Sequence, residues 1–456
     1  MHQNLLSLET LSGDKGANCS LISEDWCIRA DGTGIKYQQH RQDVHELAAR
    51  LPETAGFALN LCKDRYHFLV AFLAVALKGQ TNLLPPNQAP GLQRELLQRH
   101  DGCYILCDEP MTAAPQVPVF QVKLKSGQDK TADSYPDIEI PADHTAAILF
   151  TSGTSGKPIA IHKRWDELER EVILTSARFD LKKPEELHLV ATVPPQHMFG
   201  LAHSIMLPLA CGIGFISNRP FFPEEIHLAL KSSPGSAILI TTPIHLQACI
   251  NSDLDWGNSG CSLIISATAP LSQTLAAAVE KKFGIPVNEI YGSTETGAIA
   301  SRRTLEGNKW RFYPGISAQP DGDGFLVSGG HLISPRRLSD HLQIHADGHF
   351  KLLGRHSDLI KLAGKRASLF ELNQKLNQID GVVDGVFIDP AEEGQETRRL
   401  AAIVVAPGMS RKTLKNALAE WIDPVFFPRP LLFVDALPRN ETGKLTQQSL
   451  AALLKS

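Results

Sequence analysis

The stretch with the plainest chemical content is Thr151-Ser152-Gly153-Thr154-Ser155-Gly156-Lys157, which follows the apolar run 146–150. Glycines let a backbone turn several N–H groups toward one centre, hydroxyls add donors, and a lysine adds positive charge. Such a loop is built to cradle a polyphosphate. It differs from the common P-loop, which has four residues between its glycines and a hydroxyl residue after the lysine. Here two residues separate Gly153 from Gly156, and Pro158 follows Lys157.

Four more segments with chemical content follow in order. They are residues 194–200 (PPQHMFG), 291–297 (YGSTETG), Asp340 with Gly354-Arg355 and Gly364-Lys365-Arg366 beyond it, and 438–444 (PRNETGK). Together the five resemble the signature motifs of the ANL superfamily of acyl-CoA synthetases, adenylation domains and luciferases, over about residues 30 to 450. The resemblance implies a large N-terminal α/β domain of layered sheets and helices and a small, mobile C-terminal α+β domain. It also implies a two-step reaction: a carboxylate attacks the α-phosphorus of ATP to give acyl-adenylate and pyrophosphate, and a thiol then displaces AMP.

A carboxylate needs no general base, so the first step calls mainly for positive charge and oriented donors around the triphosphate. The resemblance assigns the roles. Lys444 bridges the carboxylate and the α-phosphate. Glu295 binds Mg²⁺, with Thr154 as a second ligand, and Thr294 contacts the α-phosphate. Tyr291, Gly292 and Ser293 border the adenine and the acid. Asp340 accepts from the ribose hydroxyls, with Arg355 and Arg366 beside the nucleotide. His197, Phe199, Gly200, Thr268 and Ala269 line the acid pocket, His197 controlling entry.

Departures from the family pattern bear on these roles. Ile159 and Ala160 replace the usual Lys-Gly, which weakens the hold of charge on pyrophosphate there unless Lys157 or Lys163 substitutes. Leu338-Ser339 precede Asp340 in place of Thr-Gly, Ser357 stands at the inter-domain hinge, and Asn373 replaces an acid. Met198 occupies the place where relatives that activate amino acids carry Asp, which disfavours an ammonium-bearing substrate. His341, His345 and His349 invite a metal reading, but Asp347-Gly348 turns the chain between the last two, and a dedicated site is not expected.

The elements that must position these residues alternate along the chain. Patterning predicts helices over 43–51, 68–77, 224–231 and 273–283, and strands over 104–107, 117–122, 146–150, 187–193, 238–240, 263–265 and 287–290. Residues 79–90 read as a Pro-rich loop. After about residue 355 the pattern restarts with helices over 369–379 and 412–421 and strands over 385–388 and 401–405. The expected division is residues 1–353, a hinge at 354–357, and residues 358–456. Alternating elements of this kind argue for α/β layers.

The 456 residues carry 43% hydrophobic and 21% charged residues, which excludes wholesale disorder. With 45 Lys and Arg against 49 Asp and Glu, the net charge of −4 leaves no basic field for nucleic acid. Eight scattered cysteines read as free thiols in a reducing compartment. No signal peptide and no apolar run of membrane length is read, so a cytoplasmic enzyme without stable membrane insertion is expected.

The expected activity is therefore an ATP- and Mg²⁺-dependent acid–thiol ligase. No carrier domain is read in the chain, so the thiol is that of coenzyme A or of phosphopantetheine on a separate acyl carrier protein. The short N-terminus and residues 83–87 (LLPPN) are similar to ligases of bacterial aryl-polyene and related pigment clusters. They point to an aromatic acid such as a hydroxybenzoate or hydroxycinnamate, with a medium-chain fatty acid as the other choice. The alternatives are an amino-acid-adenylating enzyme and a non-catalytic nucleotide-binding relative with a regulatory or scaffold role.

Overall fold

A computed structural model describes residues 25–87, 89–111, 117–124, 135–152, 158–181, 186–322, 324–355, 358–362, 365–390, 399–439, 445 and 447–455. Its centre is the helix Arg65–Leu77 (RYHFLVAFLAVAL), whose residues are almost all buried. A helix apolar on every side must be enclosed on every side, and this one lies between two sheets. Asp64 starts it, its carboxylate accepting from Tyr66 N (2.9 Å) and His67 N (3.0 Å). Asn60 and Asn82, on neighbouring strands, donate to its Phe68 and Phe72 carbonyls. The strand Thr81–Leu84 is buried within the stretch expected to be a Pro-rich loop. Its four residues precede the prolines, and their short apolar run gave no period to read.

Among the described residues one sheet has six strands, in the order Val119–Gln121, Tyr104–Cys107, Phe57–Asn60, Thr81–Leu84, Thr145–Ser152 and Pro158–Arg164. All neighbours are parallel except the last pair. The second sheet has eleven strands. Its parallel centre is Val287–Ser293, Cys261–Ser266, Ser236–Thr241, Leu187–Ala191 and Gly214–Ile216. An antiparallel flank adds Gly297–Arg303, Trp310–Phe312, His349–Arg355 and Asp340–Ile344.

Helices Tyr37–Ala48, Arg65–Leu77 and Trp165–Arg178 fill the space between the sheets in one continuous core. Pro90–Arg99 covers the outer face of the smaller sheet through Leu96. Pro223–Lys231, Pro243–Asn251 and Gln273–Phe283 cover the outer face of the larger one. The result is a five-layer α/β arrangement, as expected of layered sheets and helices.

Residues beyond 358 build cores of their own. The sheet Asp384–Ile388, Ala401–Val405 and Leu431–Phe433 packs helices Leu369–Leu376 and Arg411–Ala419 on one face. Leu450 of the helix Gln447–Lys455 packs on the other. Among the described residues no helix is long and apolar enough to cross a membrane.

Candidate active site

In open α/β sheets the crevice outside the carboxyl ends of the strands is where ligands sit. Each central segment flagged in the sequence lies at such an end. The strand Thr145–Ser152 runs into the phosphate loop, and its antiparallel partner begins at Pro158, opposite Ser152. Thr151 is half-buried there. Gly153, Thr154, Ser155, Gly156, Lys157 and Lys444 lie outside the described residues.

The segment 291–297 joins strands Val287–Ser293 and Gly297–Arg303 in an antiparallel hairpin. Ser293 N donates to Thr296 Oγ1 (3.0 Å), and Thr296 N donates to Ser293 Oγ (3.2 Å). This reciprocal pair closes the turn and leaves Thr294 and Glu295 half-exposed at its tip. Gly292 is required by packing, since a Cβ there would stand 1.9 Å from the Gly297 carbonyl oxygen. The Tyr291 hydroxyl donates to Asp340 Oδ2 at 2.6 Å, and its ring packs against Trp310 and Phe350. Two residues 49 apart in sequence are thus brought together. Asp340 also faces Arg355 in strand register. The side chains of Arg355 and Arg366 are outside the described set.

Three side chains that sequence reading did not assign to this hairpin hold its backbone. Lys163, 2% exposed, donates from Nζ to the Glu295 carbonyl at 3.0 Å. Glu171 Oε1 accepts from Ala298 N at 2.8 Å. His331 Nε2 donates to the Thr296 carbonyl at 2.6 Å. Burial pulls the Lys163 ammonium below its ordinary pKa, while the charges of Glu171 and Glu167 oppose the shift. Lys163 is therefore directed at the hairpin instead of replacing the missing phosphate-loop lysine. No sequence signal singles it out, since His162 and Arg164 flank it in the strand.

The segment 194–200 follows the strand Leu187–Ala191. Buried Arg65 fixes it by donating to the Ala191 carbonyl (2.8 Å) and to Ser204 Oγ. Gln196 donates to the Cys62 carbonyl at 2.6 Å. Gly200 again has no room for a side chain, a Cβ falling 2.0 Å from the Pro194 carbonyl oxygen. His197 and Phe199 are half-buried, whereas Met198 belongs to the central core. A π-helical turn, Leu201–Met206, follows directly, a distortion frequent at functional sites.

Thr268 lies in the loop after the strand Cys261–Ser266 with φ of +77°, beside half-buried Ala269. A β-branched residue in the left-handed region is strained, and such strain collects at binding sites. The loop is anchored at Leu271, whose N–H donates to Glu289 Oε1 (2.9 Å). Glu289 is also paired with Arg302 at 2.6 Å and accepts from the Thr304 hydroxyl.

Among the described residues no group of three or more His, Cys, Asp or Glu side chains could hold a metal, so the histidines at 341, 345 and 349 form no such site. The seven described cysteines are free thiols.

Two layered sheets with nucleotide-type motifs at their carboxyl edges define an adenylate-forming class of α/β fold. A family model described as AMP-binding enzyme matches residues 21–319, well over half of the chain, and the chain belongs to that family, within the ANL superfamily. It is 24% identical to peroxisomal OPC-8:0-CoA ligase 1 of Arabidopsis thaliana, over 70% of this chain and 65% of that protein, just under two thirds of its length. It is 27% identical to the 4-coumarate–CoA ligase of Halorhodospira halophila, over 67% of this chain and 76% of that one. ATP-bound MatB of Rhodopseudomonas palustris shares the fold with a TM-score of 0.80 at 20% identity, covering 98% of each chain.

Proposed function

We propose that the protein activates a carboxylic acid with ATP and transfers the acyl group to coenzyme A, the acid being aromatic. In the first step a carboxylate oxygen bonds to the α-phosphorus and pyrophosphate leaves. In the second the coenzyme sulfur bonds to the acyl carbon and AMP leaves. The observation that carries this reading is the Tyr291–Asp340 contact beside the Thr294–Glu295 turn. It ties Asp340, a carboxylate suited to ribose hydroxyls, to the hairpin that also bears Glu295 and Thr294, which are suited to metal and phosphate.

The donor set fits a magnesium nucleotide. One carboxylate on a half-exposed turn suits a hard cation that takes its remaining oxygens from phosphates and water. When bound, the ion would neutralise phosphate charge. Lys444 would supply the cation between carboxylate and α-phosphate, brought there by the C-terminal segment 358–456 turning about residues 354–357.

The similarity to a 4-coumarate–CoA ligase supports an aromatic acid. The buried, apolar Met198 supports an acid without an ammonium group. The test is carboxylate-dependent ATP–pyrophosphate exchange across hydroxybenzoates, cinnamates, medium-chain fatty acids and amino acids, followed by thioester formation with coenzyme A or a carrier protein. Exchange confined to aromatic acids is expected. Silence across the panel, from folded protein that binds ATP, would overturn the reading in favour of a non-catalytic nucleotide-binding protein.

A further inference from the structure

The hairpin at 291–297 is held from outside by three different elements. Lys163 comes from the strand that leaves the phosphate loop, Glu171 from the helix Trp165–Arg178, and His331 from the turn between strands Gly324–Gly329 and Leu332–Leu338. They take the Glu295 carbonyl, the Ala298 N–H and the Thr296 carbonyl respectively. Within one short turn, three backbone groups are thus fixed by buried side chains. Glu171 is pressed against the turn so closely that a Cβ on Gly297 would stand 2.2 Å from its carboxylate. Gly297 has φ of +64°, so only a glycine admits both the backbone and that carboxylate.

The surrounding charges are Glu167, which pairs with Arg336 at 3.4 Å, and Glu295 itself. Lys163 thus stands buried among the carboxylates of Glu171, Glu167 and Glu295, with half-exposed Arg336 paired to Glu167. A buried charge without compensation is costly, so this set persists only while its members stay together. Its location ties the strand after the phosphate loop to the turn that bears Glu295.

We infer that Lys163 and Glu171 are positioning residues that hold the Glu295 turn against the strand Pro158–Arg164 and the helix Trp165–Arg178, and so fix Glu295 for a magnesium–nucleotide. They touch neither nucleotide nor acid; they act by fixing the backbone from which Thr294 and Glu295 project. This rests on the proposed assignment of Glu295 to the metal.

The variants are Lys163→Met, which keeps the stem and removes the ammonium, and Glu171→Gln, which keeps an oxygen for Ala298 N–H and removes the charge. ATP binding is measured by calorimetry with and without Mg²⁺ on full-length, folded protein, and exchange kinetics are run beside it. The expected result is unchanged binding of metal-free ATP and a tenfold or greater loss of the gain that Mg²⁺ confers. KM for MgATP should rise by a similar factor while KM for the acid stays within twofold. If Lys163→Met does not fold, Glu171→Gln carries the test alone. Variants that bind MgATP as the wild type does, or that raise both KM values equally, overturn the inference. So does a wild type whose ATP binding ignores Mg²⁺. A wild type silent in exchange would defeat the ligase reading, while the calorimetric comparison would still decide the role of Lys163 and Glu171.

Discussion

At Asp340 a carboxylate is held by the Tyr291 hydroxyl at 2.6 Å, and the proposed function has it accept from a ribose. Hydrogen bonds to charged groups contribute about 1.5–3 kcal/mol, so Asp340→Ala should raise KM for ATP by roughly 10- to 100-fold. KM for the acid should hold, which exchange kinetics would show. Thr268 offers the opposite sign. Its left-handed backbone costs a β-branched residue about 1–2 kcal/mol, part of which a glycine would return against its own greater chain entropy. Thr268→Gly should therefore raise stability in urea by up to about 1 kcal/mol. The same change should broaden the range of acids accepted.

The elements beneath the site carry buried charge whose protonation is readable. On the helix Trp165–Arg178, burial pushes the Glu169 carboxyl up to about 7 from 4.5, with Asp166 adding to the effect. Between those values only the folded chain keeps the proton. Stability therefore falls as pH rises through the window and levels off above it. Glu169→Gln should gain about 1–2 kcal/mol at pH 8 and nothing at pH 4, read from denaturation midpoints. Glu289 works between two elements, joining the loop after the strand Cys261–Ser266, proposed to line the acid pocket, at Leu271 to Arg302 on the next strand. Breaking a buried pair leaves its partner uncompensated, so Glu289→Ala should cost about 3 kcal/mol. It should also weaken acid binding more than ATP binding.

For the molecule as a whole, the proposal is that the central layers bind and the C-terminal segment delivers Lys444. A lysine needed in only one arrangement can be lost without loss of the other. Lys444→Ala should abolish acid-dependent exchange yet leave the conversion of synthetic acyl-adenylate to thioester. Equal loss of both half-reactions in a folded variant would remove Lys444 from the first step. Limited proteolysis would check the division itself, with cleavage expected at 354–357 and suppression by acyl-adenylate.

The sequence by itself marked the five motifs and part of the order of strands and helices, leaving out the helix Trp165–Arg178 and the strand Thr81–Leu84. Both depend on local spacing: period and length mark the elements, and glycine-rich runs mark loops whose backbone must bend. The strand Ala401–Val405 and the helix Gln273–Phe283 stand where patterning put them. Ser272 begins that helix by accepting from Leu275 N, and Gly284 ends it with a left-handed turn. Tertiary structure alone decided which residues meet. Asp340 reaches Tyr291 across 49 residues, and Lys163 reaches Glu295 across 132. No local pattern distinguishes a lysine that turns outward to phosphate from one that turns inward to a carbonyl. The difference is burial, and burial is a property of the assembled layers.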